Sequence, residues 1–213
     1  MILKTNKVQR HLPNFRKGRG IEFFQSVKNN KRIWCDSHLE LMAYRYLDFK
    51  AEVVSYKEQP VQYLYKGPNG EETGYTVDAE VINLESEIKQ IEIKPLVFVN
   101  DPDEQRRFRY FRNLLLNSRN QLAEYLTDEE VCKGITQQNL TRLCHLRKLP
   151  LVIDQAEELI ASIGNSPTWG VLLKTAKNLN ISVQMAKLML AHQKYRFDYA
   201  ELLTNETKLE IGA

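Results

Sequence analysis

The feature that most constrains this chain is a change of character near residue 127. Ahead of it short strand-like runs alternate apolar and polar residues, and behind it the apolar residues recur with helical spacing. The pattern predicts two domains, residues 1–126 and 127–213, and 213 residues with 43% hydrophobic content suffice for two cores. Arg10 to Arg19, with His11, Pro13, Arg16, Lys17, Gly18 and Arg19, has no apolar period that would fix it to a core and reads as a basic arm. No internal repeat or low-complexity segment is present.

The first helix is expected to start at Ser37, which caps the amide of Glu40, with Leu39, Met42, Ala43, Tyr46 and Leu47 as its apolar set. Strands over Val53 to Tyr56 and Val61 to Tyr65 follow, parted by Glu58, Gln59 and Pro60, because proline cannot continue a ladder. After a turn at Gly67 to Gly70, period two predicts one strand from Tyr75 to Ile82, with Val77 on one face and Asp78 on the other. In Lys89 to Lys94 the same period sets Ile91 and Ile93 on one face and Gln90, Glu92 and Lys94 opposite, so that two charges of opposite sign line one edge.

Asp78 and Glu92 are hard oxygen ligands of the kind Mg2+ prefers, and that ion needs only one or two protein carboxylates. Lys94 lies two residues past Glu92, about 6 to 7 Å along the strand, where an ammonium can orient a water or neutralise a phosphate. Glu40 borders the buried face of its helix and is positioned to supply a third carboxylate. Each residue also has a plainer role: a capping-box glutamate for Glu40, a solvated strand residue for Asp78, an exposed polar face for Glu92 and Lys94.

In the remainder, Asn100 or Asp101 can cap a helix with Pro102 in its first turn. Arg106, Arg107, Arg109 and Arg112 on it are interleaved with Phe108, Tyr110 and Phe111. That face reads either as phosphate-contacting or as a solvated arginine stripe. Helices are expected over Val152 to Ile163 with Gly164 as the stop, from Ser166-Pro167 to about Leu179, and from Ser182 to about Lys194. The last two, joined at Asn180-Ile181, form a helix-turn-helix pattern, with Tyr195 to Leu209 as a wing tipped by Asn205. Gln184, Lys187, His192, Gln193 and Lys194 are its main polar candidates, so protein docking competes with base readout.

The order helix glutamate, strand aspartate, Glu-x-Lys resembles the PD-(D/E)xK nuclease superfamily. Four segments resemble the TnsA endonuclease of heteromeric transposases over roughly residues 20 to 100: Ser37-His38-Leu39-Glu40, Tyr56-Lys57-Glu58-Gln59-Pro60-Val61, Tyr75-Thr76-Val77-Asp78 and Ile91-Glu92-Ile93-Lys94. The resemblance implies an α/β chain with a restriction-endonuclease-like mixed sheet flanked by helices, followed by a mainly helical, winged-helix-like domain. It implies Glu40, Asp78, Glu92 and Lys94 as catalytic residues, with the first three around Mg2+ (Mn2+ able to substitute), and it sets the family's glutamine before proline at Gln59. Family members can carry glutamine where this chain has Glu92, so the acid here adds charge and leaves the metal count open. The implied reaction is hydrolysis at the 5′ ends of a transposon, with a TnsB-like transposase and a TnsC-like ATPase as partners. Arg16, Lys17, Arg19, Gln59, Arg106, Arg107 and Arg109 are the expected contacts to double-stranded DNA. The alternatives are a stand-alone restriction- or repair-type nuclease using the same residues, and a non-catalytic helix-turn-helix regulator.

A net charge of only +3, from 30 basic and 27 acidic side chains, means the chain should bind DNA weakly unaided. A bacterial cytoplasmic protein without a membrane partner is expected. No apolar run reaches the roughly 20 residues of a membrane span, and Met1 to Arg10 lacks a signal core. Cys35, Cys132 and Cys144 lack paired zinc-ligand spacing and suit packing in a reducing compartment.

Overall fold

The computed structural model describes residues 2–6, 22–67 and 69–212. The chain divides into two compact units, residues 1–131 and 132–213. Its first unit is mixed α/β, with a mixed β-sheet flanked by helices. No helix among the described residues is long and apolar enough to cross a membrane.

The first unit begins with strand β1 (Ile2–Asn6), the hairpin β2 (Glu22–Ser26) and β3 (Lys31–Cys35), and helix α1 (His38–Phe49). Strands β4 (Val53–Glu58), β5 (Gln62–Lys66), β6 (Glu72–Thr76), β7 (Ala79–Asn83) and β8 (Ile88–Ile93) follow. A four-residue helix α2 (Leu96–Val99), the long α3 (Pro102–Arg119), strand β9 (Leu122–Leu126) and the short α4 (Asp128–Val131) complete it. The central sheet has the order β4-β7-β8-β9, in which β9 alone runs parallel to its neighbour. A parallel pair needs a crossover connection, which α3 supplies. A second antiparallel sheet has the order β1-β5-β6.

Sequence explains the helix ends directly. Ser37 is extended and its hydroxyl accepts the Glu40 amide, and Asp101 caps α3 by accepting from the amides of Asp103 and Glu104, with Pro102 in the first turn. Asn120, left-handed at φ 53°, ends α3. From α3, Phe108, Phe111 and Leu115 pack with Tyr63, Tyr65, Tyr75, Val77 and Ala123, so the helix clamps the second sheet to the end of the first.

Two strand expectations are corrected. The expected strand from Tyr75 to Ile82 is broken at Val77 and Asp78: β6 pairs with β5 in one sheet and β7 with β4 in the other. The alternation runs on through a chain that changes sheets, so the period alone could not show the break. Nor does β8 carry the exposed polar face of the plainer reading. It lies between β7 and β9, and Gln90, Ile91, Glu92 and Ile93 are all buried. Burial of both faces is what an interior strand with a parallel partner undergoes.

The second unit contains α5 (Thr136–Leu146), α6 (Ile153–Ile163), α7 (Trp169–Asn178), α8 (Val183–Ala191) and a two-residue ribbon, β10 (Tyr195–Arg196) with β11 (Glu210–Ile211). Gly164 ends α6 at φ 84°, a conformation that L side chains rarely adopt. Thr168 caps α7 two residues later than Ser166-Pro167 would have started it, and Ser182 caps α8. Asn205 does not mark a projecting tip, because its carbonyl accepts the Gly170 amide in the first turn of α7.

Candidate active site

One edge of the central sheet collects the charged residues. Gln59 follows β4, Asp78 precedes β7, Glu92 is the penultimate residue of β8 within its buried run, and Lys94 lies just past that strand. In the antiparallel register Ala79 faces Ile91, so one further step sets Asp78 across from Glu92. The Asp78 carboxylate accepts the Ile93 amide at 2.7 Å, while its carbonyl accepts the Gln59 amide at 2.7 Å and the Tyr44 hydroxyl at 2.8 Å. The break that sequence periodicity missed therefore locks Asp78 among three elements.

Glu92 is 8% exposed, and its Oε1 lies 3.3 Å from the Lys94 ammonium. Its other oxygen, Oε2, is buried with no hydrogen-bond partner among the described residues. Leaving a buried acceptor unmatched costs about 1–3 kcal/mol, and more when it is charged. The Tyr75 hydroxyl lies close enough to lower the carboxyl's proton affinity, yet the two groups do not meet at hydrogen-bonding geometry.

Burial, then the negative charge of Glu92 and that of Glu40, push the Asp78 carboxyl up to about 8, against the Ile93 amide and Lys94. Glu92 is also raised, by burial, with Lys94 opposing. Two adjacent carboxyl groups both raised by burial, Asp78 also by the charge of Glu92, mark a candidate functional site.

Glu40 is nearby but otherwise engaged. Its carboxylate accepts the Asp36 amide at 2.9 Å and the Ser37 hydroxyl at 3.2 Å, so the capping role is realised alongside its electrostatic effect on Asp78. Among the described residues no three His, Cys, Asp or Glu side chains converge as a ready-made cage. The expected set of three carboxylates thus resolves into a facing pair, Asp78 and Glu92, with Glu40 at the margin. A pair suffices for an ion that completes its shell with water and substrate. Hard oxygen donors, a buried orphan among them and a raised neighbour opposite, fit Mg2+ or Mn2+.

Gln59 is strained, with φ 38° directly before a proline, and its amide donates to Asp36 Oδ2 at 3.0 Å. That bond ties the end of β4 to the start of α1.

Sequence reading missed Glu104. From the first turn of α3 it accepts Lys94 Nζ at 2.6 Å, the Tyr125 hydroxyl at 3.0 Å and Arg107 at 2.8 Å. Tyr125 is there because the parallel register pairs it with Glu92. The sole signal, Asp101-x-x-Glu104, is also that of a capping box, so spacing alone gives the residue no functional mark.

Of the expected DNA contacts, three arginines lie along α3. Arg107 is half-exposed and lies over the Tyr75 ring at 4.9 Å, Arg106 is exposed and paired with Asp103, and Arg109 is exposed. Arg16, Lys17 and Arg19 lie outside the described residues. A cleft of about 480 Å³ between the β5–β6 hairpin and α3 is lined by Arg106, Arg107 and Arg109 with Tyr65 and Tyr110. No family model matches the chain, and no curated protein matches it.

Proposed function

We propose that this chain is a divalent-metal-dependent DNA endonuclease with a restriction-endonuclease-like first domain, working as the TnsA-like subunit of a heteromeric transposase. The observation that carries the reading is the facing pair of half-buried Asp78 and buried Glu92, both raised in proton affinity, with Glu92 Oε2 lacking a partner among the described residues, beside the ammonium of Lys94. An acceptor at Glu92 Oε2 with no partner at hydrogen-bonding geometry is one a cation could take, which supports this reading over a purely structural ion pair.

Asp78 and Glu92 would hold Mg2+, with Mn2+ as a substitute, and the ion supplies positive charge to the scissile phosphate and makes water a stronger acid. Lys94 adds a fixed positive charge at the same edge. Gln59, held by its strained backbone and by Asp36, is rigid enough to orient a strand of DNA. Arg107 and Arg109 beside the cleft extend the positive surface along α3.

The helices α7 and α8 with the short ribbon support a winged-helix-like reading of the second domain. Only Lys187 is charged within α8, so its fitting role is docking to protein rather than base readout. A net charge of +3 also favours delivery of the transposon ends by partners, a TnsB-like transposase and a TnsC-like ATPase, in the cytoplasm.

The test is cleavage of end-labelled transposon-end DNA with Mg2+. Weak 5′-end cutting by the purified chain, raised strongly by the partners, supports the reading. Robust sequence-specific double-strand cutting by the isolated chain would instead mark a stand-alone nuclease.

A further inference from the structure

We infer that Glu104 is a positioning residue that sets where the Lys94 ammonium sits in the site. The catalytic consequence rests on the nuclease reading; the geometry does not. Lys94 Nζ lies 2.6 Å from Glu104 Oε1 but 3.3 Å from Glu92 Oε1, so its shorter, charge-assisted bond goes to the residue outside the metal-binding pair. Lysine carries its charge on a flexible four-carbon stem, and a catalytic ammonium on such a stem needs a fixed partner to be pre-organised.

Glu104 is built to be that partner. Its own amide is pinned by the Asp101 cap at 3.0 Å, and its carboxylate is held by the Tyr125 hydroxyl on Oε1 and by Arg107 on Oε2. Burial opposes ionisation of this carboxyl, but the bonds from Lys94, Arg107 and Tyr125 prevail and hold it below the usual range. The side chains of Lys94 and Glu104 are 19% and 14% exposed, which keeps the pair out of bulk solvent. Arg107 ties the same carboxylate to the Tyr75 ring and, through it, to the side of the site where Glu92 lies. One carboxylate thus links β8, β9 and α3 around the lysine.

The full-length chain is compared as wild type, Glu104→Gln, Lys94→Ala and the double variant, in Mg2+-dependent DNA cleavage. Glu104→Gln should lower kcat by about 10- to 100-fold with little change in KM for DNA, the size of effect seen when a supporting partner of a metal site is lost. In the Lys94→Ala background the same change should add nothing, because the two act as a unit. A merely structural glutamate would cost the same factor in both backgrounds, and that result overturns the inference. Tyr125→Phe, which removes one bond to Glu104 and leaves the carboxylate in place, should give a smaller loss with the same dependence on Lys94 if Glu104→Gln fails to fold.

A second readout needs no activity. In 15N-edited NMR the Lys94 ammonium should be visible in wild type, protected by its bond to Glu104, and lost by exchange in Glu104→Gln or weakened in Tyr125→Phe. An unchanged Lys94 signal in both variants refutes the inference. A wild type inert on DNA whose Lys94 signal still depends on Glu104 refutes the nuclease reading and supports the positioning.

Discussion

Two groups of buried carboxylates in the first unit differ in one respect. Asp48 on α1 is 0% exposed and accepts from the Ser26 hydroxyl at 2.6 Å, the Val27 amide at 3.2 Å, the Lys28 amide at 3.3 Å and the Tyr56 hydroxyl at 3.1 Å. Glu92 on β8 is nearly as deep but leaves Oε2 without a partner, beside an Asp78 that burial and charge push up. Asp48 has donors from three elements, which fasten the β2–β3 hairpin to α1 and β4. Satisfied burial is architecture, and the proposed function reads the unmatched Glu92 Oε2 as an acceptor left for a ligand.

The contrast breaks most readily at the proposed metal-binding pair. Asp78→Ala or Glu92→Ala should lower DNA nicking about a thousandfold or more, the scale of losing several kcal/mol of charge stabilisation. Either should lower the thermal midpoint less than Asp48→Ala does, since Asp78→Ala strands a single amide, that of Ile93, and both changes remove a carboxyl that burial disfavours. Nicking at the wild-type rate, or a collapse in stability, would put these residues with Asp48.

Asp48→Ala should behave the opposite way. It strands two hydroxyls and two amides, costing about 3 kcal/mol or more, which is roughly 6–12 °C in the thermal midpoint of a chain this size. Nicking per folded molecule should be unchanged. A melt with no shift would mean that the satisfied network is not what holds the corner.

Lys94 sharpens the contrast. Lys94→Ala should reduce turnover by about 100-fold, as loss of one pre-organised donor does, while metal affinity falls little because the ammonium repels the ion. Lys94→Arg should not restore activity, a planar guanidinium being unable to reproduce a compact ammonium. Calorimetric metal titration beside the kinetics checks both, and equal losses in binding and turnover would assign the lysine to structure.

The smallest effect is on stability against pH. Asp78 keeps its proton to about 8 in the folded chain, against 3.8 ordinarily, so between those values the folded state binds more protons than the unfolded. Stability without metal therefore falls as pH rises from about 4 to about 8. Asp78→Asn should flatten that slope and gain on the order of 2 kcal/mol at the upper end, for a carboxyl still partly open to solvent. Parallel profiles of wild type and Asp78→Asn in denaturant melts would contradict the raised carboxyl.

Local signals in the sequence were legible where a single residue decides the outcome. Ser37 and Ser182 cap their helices, Gly164 stops α6, and Glu92 and Lys94 flank Ile93 as spaced. What could not be read was decided by distant partners. The split at Val77–Asp78 depends on β6 choosing β5 while β7 chooses β4, and the burial of Gln90 and Glu92 depends on β9 arriving in parallel from across α3. Glu104 was hidden because its spacing from Asp101 is that of a cap, and it is a cap neighbour as well as the lysine's partner.

The most direct test of the central claim is a calorimetric Mn2+ titration of the full chain at pH 8, comparing wild type with Asp78→Asn and Asp48→Asn. Wild type should bind, Asp78→Asn should bind at least about tenfold more weakly, as loss of an oxygen ligand requires, and correctly folded Asp48→Asn should match wild type. Equal affinity in wild type and Asp78→Asn, or no binding by wild type, would contradict the account.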